Sequence, residues 1–237
     1  ILPIHPTSYG DSPYQSFSTF AGNPYFIDLE ALIEEGVLTR EECDAVDFGS
    51  KEDDIDYEAL YNGRYPLLRK AYERSNISQD PEFLGFVAEN SWWLDDYALF
   101  MALKRHFSMQ CWLEWPEDIR LRQAAAMDQY RALLDEDIRL FTYIQYLFFT
   151  QWTALRDYAH EKGVGIIGDM PIYVALDSVD VWAEPHYFQL DEKGFPTAVA
   201  GVPPDYFSED GQLWGNPLYD YDKMQQDGFG WWIRRVE

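Results

Sequence analysis

Val164-Gly165-Ile166-Ile167-Gly168-Asp169-Met170-Pro171-Ile172-Tyr173-Val174 is the stretch whose reading decides the fold. Val164 to Ile167 is apolar on both faces, the pattern of a strand buried in a parallel sheet. It follows a helical stretch and Gly163, and the order helix, glycine, buried strand is half of a βα repeat. The residues therefore predict an α/β architecture. Asp169 falls where such a strand would end, and active sites of (β/α) barrels lie at the C-terminal strand ends. Asp169 is thus a candidate functional carboxylate, with capping of the following turn as the competing role.

Upstream, Ile138, Phe141, Ile144, Phe148, Trp152, Leu155 and Ala159 recur at spacings of three and four, which predicts one amphipathic helix over Asp137–Lys162. The spacing makes this aromatic stripe core packing. Downstream, Asp177-Ser178 opens a short helix through Trp182 with an aspartate or serine cap. Tyr187–Leu190, the turn Asp191–Gly194 and Thr197–Ala200 read as strand, turn, strand. That hairpin delivers the chain into Gly201–Tyr219, a loop dense in Pro, Gly and Asn that nevertheless carries Tyr206, Phe207, Trp214 and Tyr219. Such a loop either folds onto the core or grips something. A helix over Gly230–Glu237 follows.

At the other end, Ile1–Ile4 reads as the end of a buried strand, Pro6–Phe17 as a loop and Tyr25–Leu29 as an extended segment. Residues 30–130 show helical patterns only: Asp28–Gly36, a capping box at Thr39-Arg40-Glu41-Glu42, then Tyr57–Asn76, Pro81–Glu89, Trp92–His106 and Asp118–Asp135. This block reads as a helical insertion. Trp92 and Trp93 beside Asp95 and Asp96 fit a buried aromatic face better than a binding patch. Because the chain opens on Ile1 and stops at Glu237 inside a helical pattern, a longer polypeptide is expected.

Asp and Glu number 42 against 18 Lys and Arg, for a net charge of -24, which argues against nucleic acid and against an anionic membrane surface. A neutral ligand fits, and the acidity also serves solubility. Cys43 and Cys111 form no disulfide framework or metal spacing and read as free thiols of a reducing cytoplasm. No apolar run reaches the roughly 18 residues of a membrane helix, and no basic leader precedes an apolar segment. Phosphate loops, dinucleotide fingerprints and nucleophile elbows are missing. His5, His106, His160 and His186 lack metal-ligand spacing, so neither a metal nor an organic cofactor is expected. Aromatic and amide groups on loops, with an aspartate at a strand end, suit a sugar, whose C–H faces stack and whose hydroxyls hydrogen-bond.

Three motifs carry a resemblance: Pro6–Ser18 with Ala21-Gly22-Asn23-Pro24, Gly168–Val174 with Asp177-Ser178, and Ala200–Ser208 through Gln212–Pro217. In this order they resemble the 4-α-glucanotransferases, the amylomaltases or disproportionating enzymes related to α-amylases. The resemblance implies part of a (β/α)8 TIM barrel with a large helical insertion, and retaining transfer of α-1,4-glucan segments between maltooligosaccharides. Asp169 matches the barrel aspartate that hydrogen-bonds sugar at the cleavage subsite. Ser12 and Tyr14 match donor-subsite residues, the tyrosine as a stacking platform. Tyr9 matches a residue of a secondary glucan site, and Phe207, Gln212 and Trp214 match a loop over the acceptor side. Asn216, in the same motif, joins them as a candidate substrate contact. His5 departs from the family's usual pattern, either as a neutral variation or as a small change in the floor of the first subsite.

Retention needs a carboxylate nucleophile and a carboxylic acid/base. The resemblance places both beyond Glu237, so no catalytic residue is expected in this chain and the fragment is expected to be inactive alone. A glucan-binding piece without activity and a hydrolytic α-glucanase are the alternatives.

Overall fold

The computed structural model describes residues 1–8, 10–49 and 53–236. In chain order its helices are α1 (Leu29–Glu34), α2 (Arg40–Asp44), α3 (Tyr57–Arg74), α4 (Pro81–His106), α5 (Glu117–Arg120), α6 (Ala124–Leu133), α7 (Asp135–Glu161) and α8 (Val179–Ala183). Two strands, β1 (Val199–Val202) and β2 (Gln212–Pro217), precede α9 (Tyr221–Gln226) and α10 (Gly230–Val236).

Contacts divide the chain into two units, one of Gly22–Ala98 and Glu136–Ile167, the other of Ile1–Ala21, Leu99–Asp135 and Gly168–Glu237. In the first, local signals set the helix starts. Asp28 caps α1, Asp56 caps α3, and Thr39 with Glu42 forms the expected capping box of α2. Asp80 Oδ1 accepts from the amides of Glu82 and Phe83 at 2.8 and 3.0 Å to start α4. The core joins α3 and α4 to α7 through ring contacts: Tyr72–Tyr143 at 5.6 Å, Phe83–Tyr146 at 5.4 Å and Trp93–Phe149 at 5.7 Å. Gln145, fully buried, accepts from Gly22 N at 2.7 Å and donates to Gly22 O at 3.0 Å, which satisfies a loop that has no ladder of its own.

Pro81–Glu89 and Trp92–His106 are one helix. Asn90 donates to Phe86 O at 2.8 Å and accepts from Trp93 Nε1 at 3.0 Å, so the side chain that could have broken the helix is absorbed by it. The α7 stripe is buried at Phe141, Ile144 and Phe148, but Leu155 is 57% exposed, so the apolar face runs past the core it covers. Tyr25 lies in a 3-10 turn over Pro24–Phe26, capped by Asn23, not in an extended segment. Val164–Ile167 forms no strand among the described residues. Among the described residues no strand pairs with it to complete a ladder, and Ile167 is 84% exposed.

The second unit is built on an aromatic cluster. Phe100 lies 5.5 Å from Trp115 and 5.8 Å from Trp182, and Trp115 lies 5.8 Å from Trp182. The helix expected over Asp118–Asp135 is interrupted at Arg122, whose φ of 53° is left-handed, giving α5 and α6. Ser178 caps α8. Ile1–Ile4 is irregular, and the expected hairpin of Tyr187–Leu190 with Thr197–Ala200 is present only in part, with the turn at Asp191–Gly194 and Thr197 N donating to Gln189 O at 2.9 Å. β1 pairs antiparallel with β2 (Gly201 opposite Leu213, Val202 opposite Gln212), so residues 203–211 are the hairpin loop. Leu190 with Pro196 and Phe188 with Tyr219 make single bridges. At Gly201 a Cβ would come within 2.6 Å of Gln212 O, so the pairing requires glycine there.

Candidate active-site pocket

All of the pocket lies in the second unit. The 6–17 loop turns tightly: Ser8 N donates to Gln15 O at 2.9 Å and Gln15 N to Ser12 O at 3.0 Å, with Gly10 and Asp11 both at positive φ. This turn carries Ser12, Tyr14 and Gln15 to the rim of a cavity of about 450 Å³. Asp169, Met170, Pro171, Ile172 and Tyr173 form the adjacent wall, and Trp214 and Asn216 come from β2. The pairing with β1 shifts register between Leu213 and Pro217, and Gly215 within that stretch has a φ of 79°.

Tyr14 Oη donates to Asp169 Oδ2 at 2.7 Å. This bond to the carboxylate pushes the Tyr14 phenol above its ordinary pKa of 10, so the hydroxyl stays a donor across neutral pH. Asn216 is buried, and its Nδ2 donates to Val174 O at 2.7 Å while its amide faces that of Gln15 at 3.4 Å. Tyr173 meets Trp214 at 6.2 Å and 61°, so two rings stand at an angle along the cavity.

Five of the sequence-predicted residues, Ser12, Tyr14, Asp169, Trp214 and Asn216, come together in this lining. Gln212 stands behind it, its Oε1 accepting from Trp214 Nε1 at 3.0 Å. Phe207 is not in the lining; it stands 87% exposed on the hairpin loop, edge-to-face with Tyr206 at 5.6 Å. Tyr9 lies outside the described residues. His5 does not line the cavity. Its Nδ1 lies 3.0 Å from Ala21 O, and burial lowers its pKa, which makes it part of the support under the loop. Gln15 and Tyr173 were not expected. Both sit inside motifs that were recognised, but only tertiary packing shows which neighbours of Tyr14 and Asp169 face the cavity.

Among the described residues the lining holds one carboxylate, two amides and three aromatic rings, with no Lys or Arg. Such a lining offers ring faces for stacking on apolar C–H groups and a carboxylate and amides for hydrogen bonds to hydroxyls, without a cation for an anionic ligand. The sequence matches the 4-alpha-glucanotransferase family over residues 1–237, and the chain belongs to that family. It is 48% identical over 238 residues to a 4-alpha-glucanotransferase of Clostridium butyricum, covering 100% of this chain and 49% of that protein. With the Thermus thermophilus 4-alpha-glucanotransferase it shares 49% identity over 241 residues, covering 100% of this chain and 47% of the relative. Among solved structures, it superposes on the amylomaltase of Streptococcus agalactiae in complex with acarbose with a TM-score of 0.94 at 44% identity, covering 100% of this chain and 48% of that one. The chain spans about half the length of the curated relatives it matches.

Proposed function

We propose that the complete protein transfers α-1,4-glucan segments between maltooligosaccharides with retention of configuration, and that the Ser12–Tyr14–Asp169–Trp214 pocket holds a sugar ring beside the scissile bond. The observation that carries this reading is the Tyr14–Asp169 pair, which sets a carboxylate beside an aromatic ring in a cavity without cations. Membership of the family and the likeness to an amylomaltase structure that holds acarbose support it. Asp169 would accept sugar hydroxyls. Phe207, Gln212 and Trp214 would cover the acceptor side, excluding water so that a sugar hydroxyl resolves the covalent intermediate.

Among the described residues Asp169 is the one carboxylate of the lining, and, as the resemblance implies, the nucleophile and the acid/base would come from residues outside this chain. On the same ground the 237 residues alone would bind glucan without transferring it. In the complete protein we place them in a (β/α)8 barrel, with residues 30–130 as its helical insertion and Tyr9 in a secondary glucan site. Among the described residues no helix is long and apolar enough to cross a membrane. The free thiols Cys43 and Cys111 suit a cytoplasmic setting.

Incubation of the complete protein with maltotriose tests the reading. Glucose together with longer oligosaccharides is expected; glucose and maltose without chain lengthening would mark a hydrolase instead.

A further inference from the structure

The wall Asp169–Tyr173 has no strand ladder, yet its backbone is held at fixed points by side chains from later in the chain. Tyr219 donates its hydroxyl to Ile172 O at 2.9 Å, and Arg235 donates Nη2 to Pro171 O at 2.7 Å. The two anchors are themselves joined, since Arg235 Nη1 lies 3.4 Å from Tyr219 Oη. The Tyr219 ring is stacked on Tyr173 at 5.9 Å and 12°. Arg235 rests over the rings of Trp231 and Trp232 at 4.8 and 4.6 Å, so its fork is held before it reaches the wall. Neither Tyr219 nor Arg235 lines the cavity.

We propose that Tyr219 and Arg235 are positioning residues that clamp consecutive carbonyls of the pocket wall and thereby set the tilt of Tyr173 towards Trp214. Removing the clamp lets the wall relax, so the two rings no longer meet a sugar at a fixed angle. The contribution is therefore to sugar affinity, with the chemical step affected less. Arginine is required at 235 because one fork must serve a backbone carbonyl and the Tyr219 oxygen together, from a platform of indoles. The proposal rests on the pocket's being a sugar site.

The test uses the complete protein and its Tyr219→Phe, Arg235→Lys and Arg235→Gln variants. Maltotriose dissociation constants are measured by calorimetry, with kcat and KM for glucose release and the thermal midpoint. Tyr219→Phe keeps the stacked ring and loses only the donor. It is expected to raise both Kd and KM by about 3- to 10-fold, the scale of one buried hydrogen bond, with a smaller change in kcat. Arg235→Gln should do the same, and Arg235→Lys, which keeps a donor and a charge, should recover part of the loss. Variants with lower thermal midpoints but Kd and KM within about twofold of wild type would overturn the clamp and leave ordinary core packing in its place. A wild-type protein that binds maltotriose and only hydrolyses it would instead undo the transfer reading, with the clamp still read from the variant Kd values. Failure of the wild type to bind maltotriose would overturn both.

Discussion

Tyr14 and Asp169, 155 positions apart, meet through a 2.7 Å hydrogen bond in which the phenol donates to the carboxylate. Both side chains are exposed at the cavity, so the bond does little for the stability of the fold. Its effect is on orientation: Tyr14 holds Asp169 Oδ2 and so fixes the carboxylate in the wall of the pocket.

The pair gives a titration that can be checked. A raised phenol pKa means that the protonated form is favoured, so the donor is present below pH 10 and is lost only as the pH passes the raised value. Asp169→Asn removes the charged acceptor and should return the Tyr14 titration towards 10, as followed by NMR of ring-labelled tyrosine. Tyr14→Phe should weaken maltotriose binding while changing stability by less than about 0.5 kcal/mol. An unmoved Tyr14 titration in Asp169→Asn would show that the two groups are not paired in solution.

Trp214 is 44% exposed and is steadied by Gln212 and Tyr173. If the ring shields the acceptor side, Trp214→Ala should raise the ratio of hydrolysis to transfer on maltotriose, because water then competes with the sugar hydroxyl. Product analysis showing the wild-type ratio and acceptor dependence would remove that role from Trp214.

Gly22 belongs to a recognised motif, and its reason for being glycine is packing. A Cβ there would lie 1.9 Å from Phe148 Cδ1, inside the buried ring. The backbone cannot back away freely, since both polar groups of Gly22 are tied to Gln145. Gly22→Ala should cost about 3 kcal/mol, at the upper end for overpacking, and show as a lower urea midpoint with an unchanged slope.

Lys104 is 1% exposed and donates to Asp177 Oδ2 at 2.6 Å and to the carbonyls of Met109 and Gln110 at 2.8 and 2.7 Å. It holds a turn in which Ser108 and Met109 are both left-handed. Lys104→Met would leave Asp177 Oδ2 and two carbonyls without the ammonium donor, at a cost of about 3 kcal/mol, the lower end for a broken buried pair because Asp177 keeps some access to water and the Trp112 amide on its Oδ1. Asp177→Asn keeps an acceptor and should cost less. Equal unfolding midpoints for Lys104→Met and wild type would contradict this account.

Elements whose cause is local were legible in the sequence. The Thr39–Glu42 capping box, the Ser178 cap and the first half of the α7 stripe each depend on residues a few positions apart. Pairing was not legible in the same way. Val199–Val202 takes Gln212–Pro217 as its partner, not the apolar run nearest to it, and Val164–Ile167 reads as a strand while pairing with none among the described residues. The pocket was reached through motif resemblance. No local pattern puts Tyr14 against Asp169, and Tyr173 faces the cavity because Tyr219 stacks behind it, a relation that spacing does not encode.

Two carboxylates should shape the acid limb of stability in opposite directions. Arg74 holds Glu42 with Nη1 at 2.7 Å and Nη2 at 2.8 Å, and this hydrogen bonding brings the Glu42 pKa down to about 2. A depressed carboxyl contributes stability that is present above 4.5 and lost as the pH falls through about 2. Asp180 is the reverse. Burial raises its pKa despite bonds of 2.9 and 2.6 Å from Thr19 N and Oγ1. Stability therefore declines as the pH rises above 3.8 through the raised value. Urea midpoints followed from about pH 2 to pH 7 should show a flatter acid limb for Glu42→Gln and a steeper one for Asp180→Asn. The Glu42 effect should also shrink with added salt, because that pair is at the surface and screened, whereas the Asp180 effect should not. Parallel curves for wild type and Glu42→Gln would mean that the ion pair contributes nothing in solution.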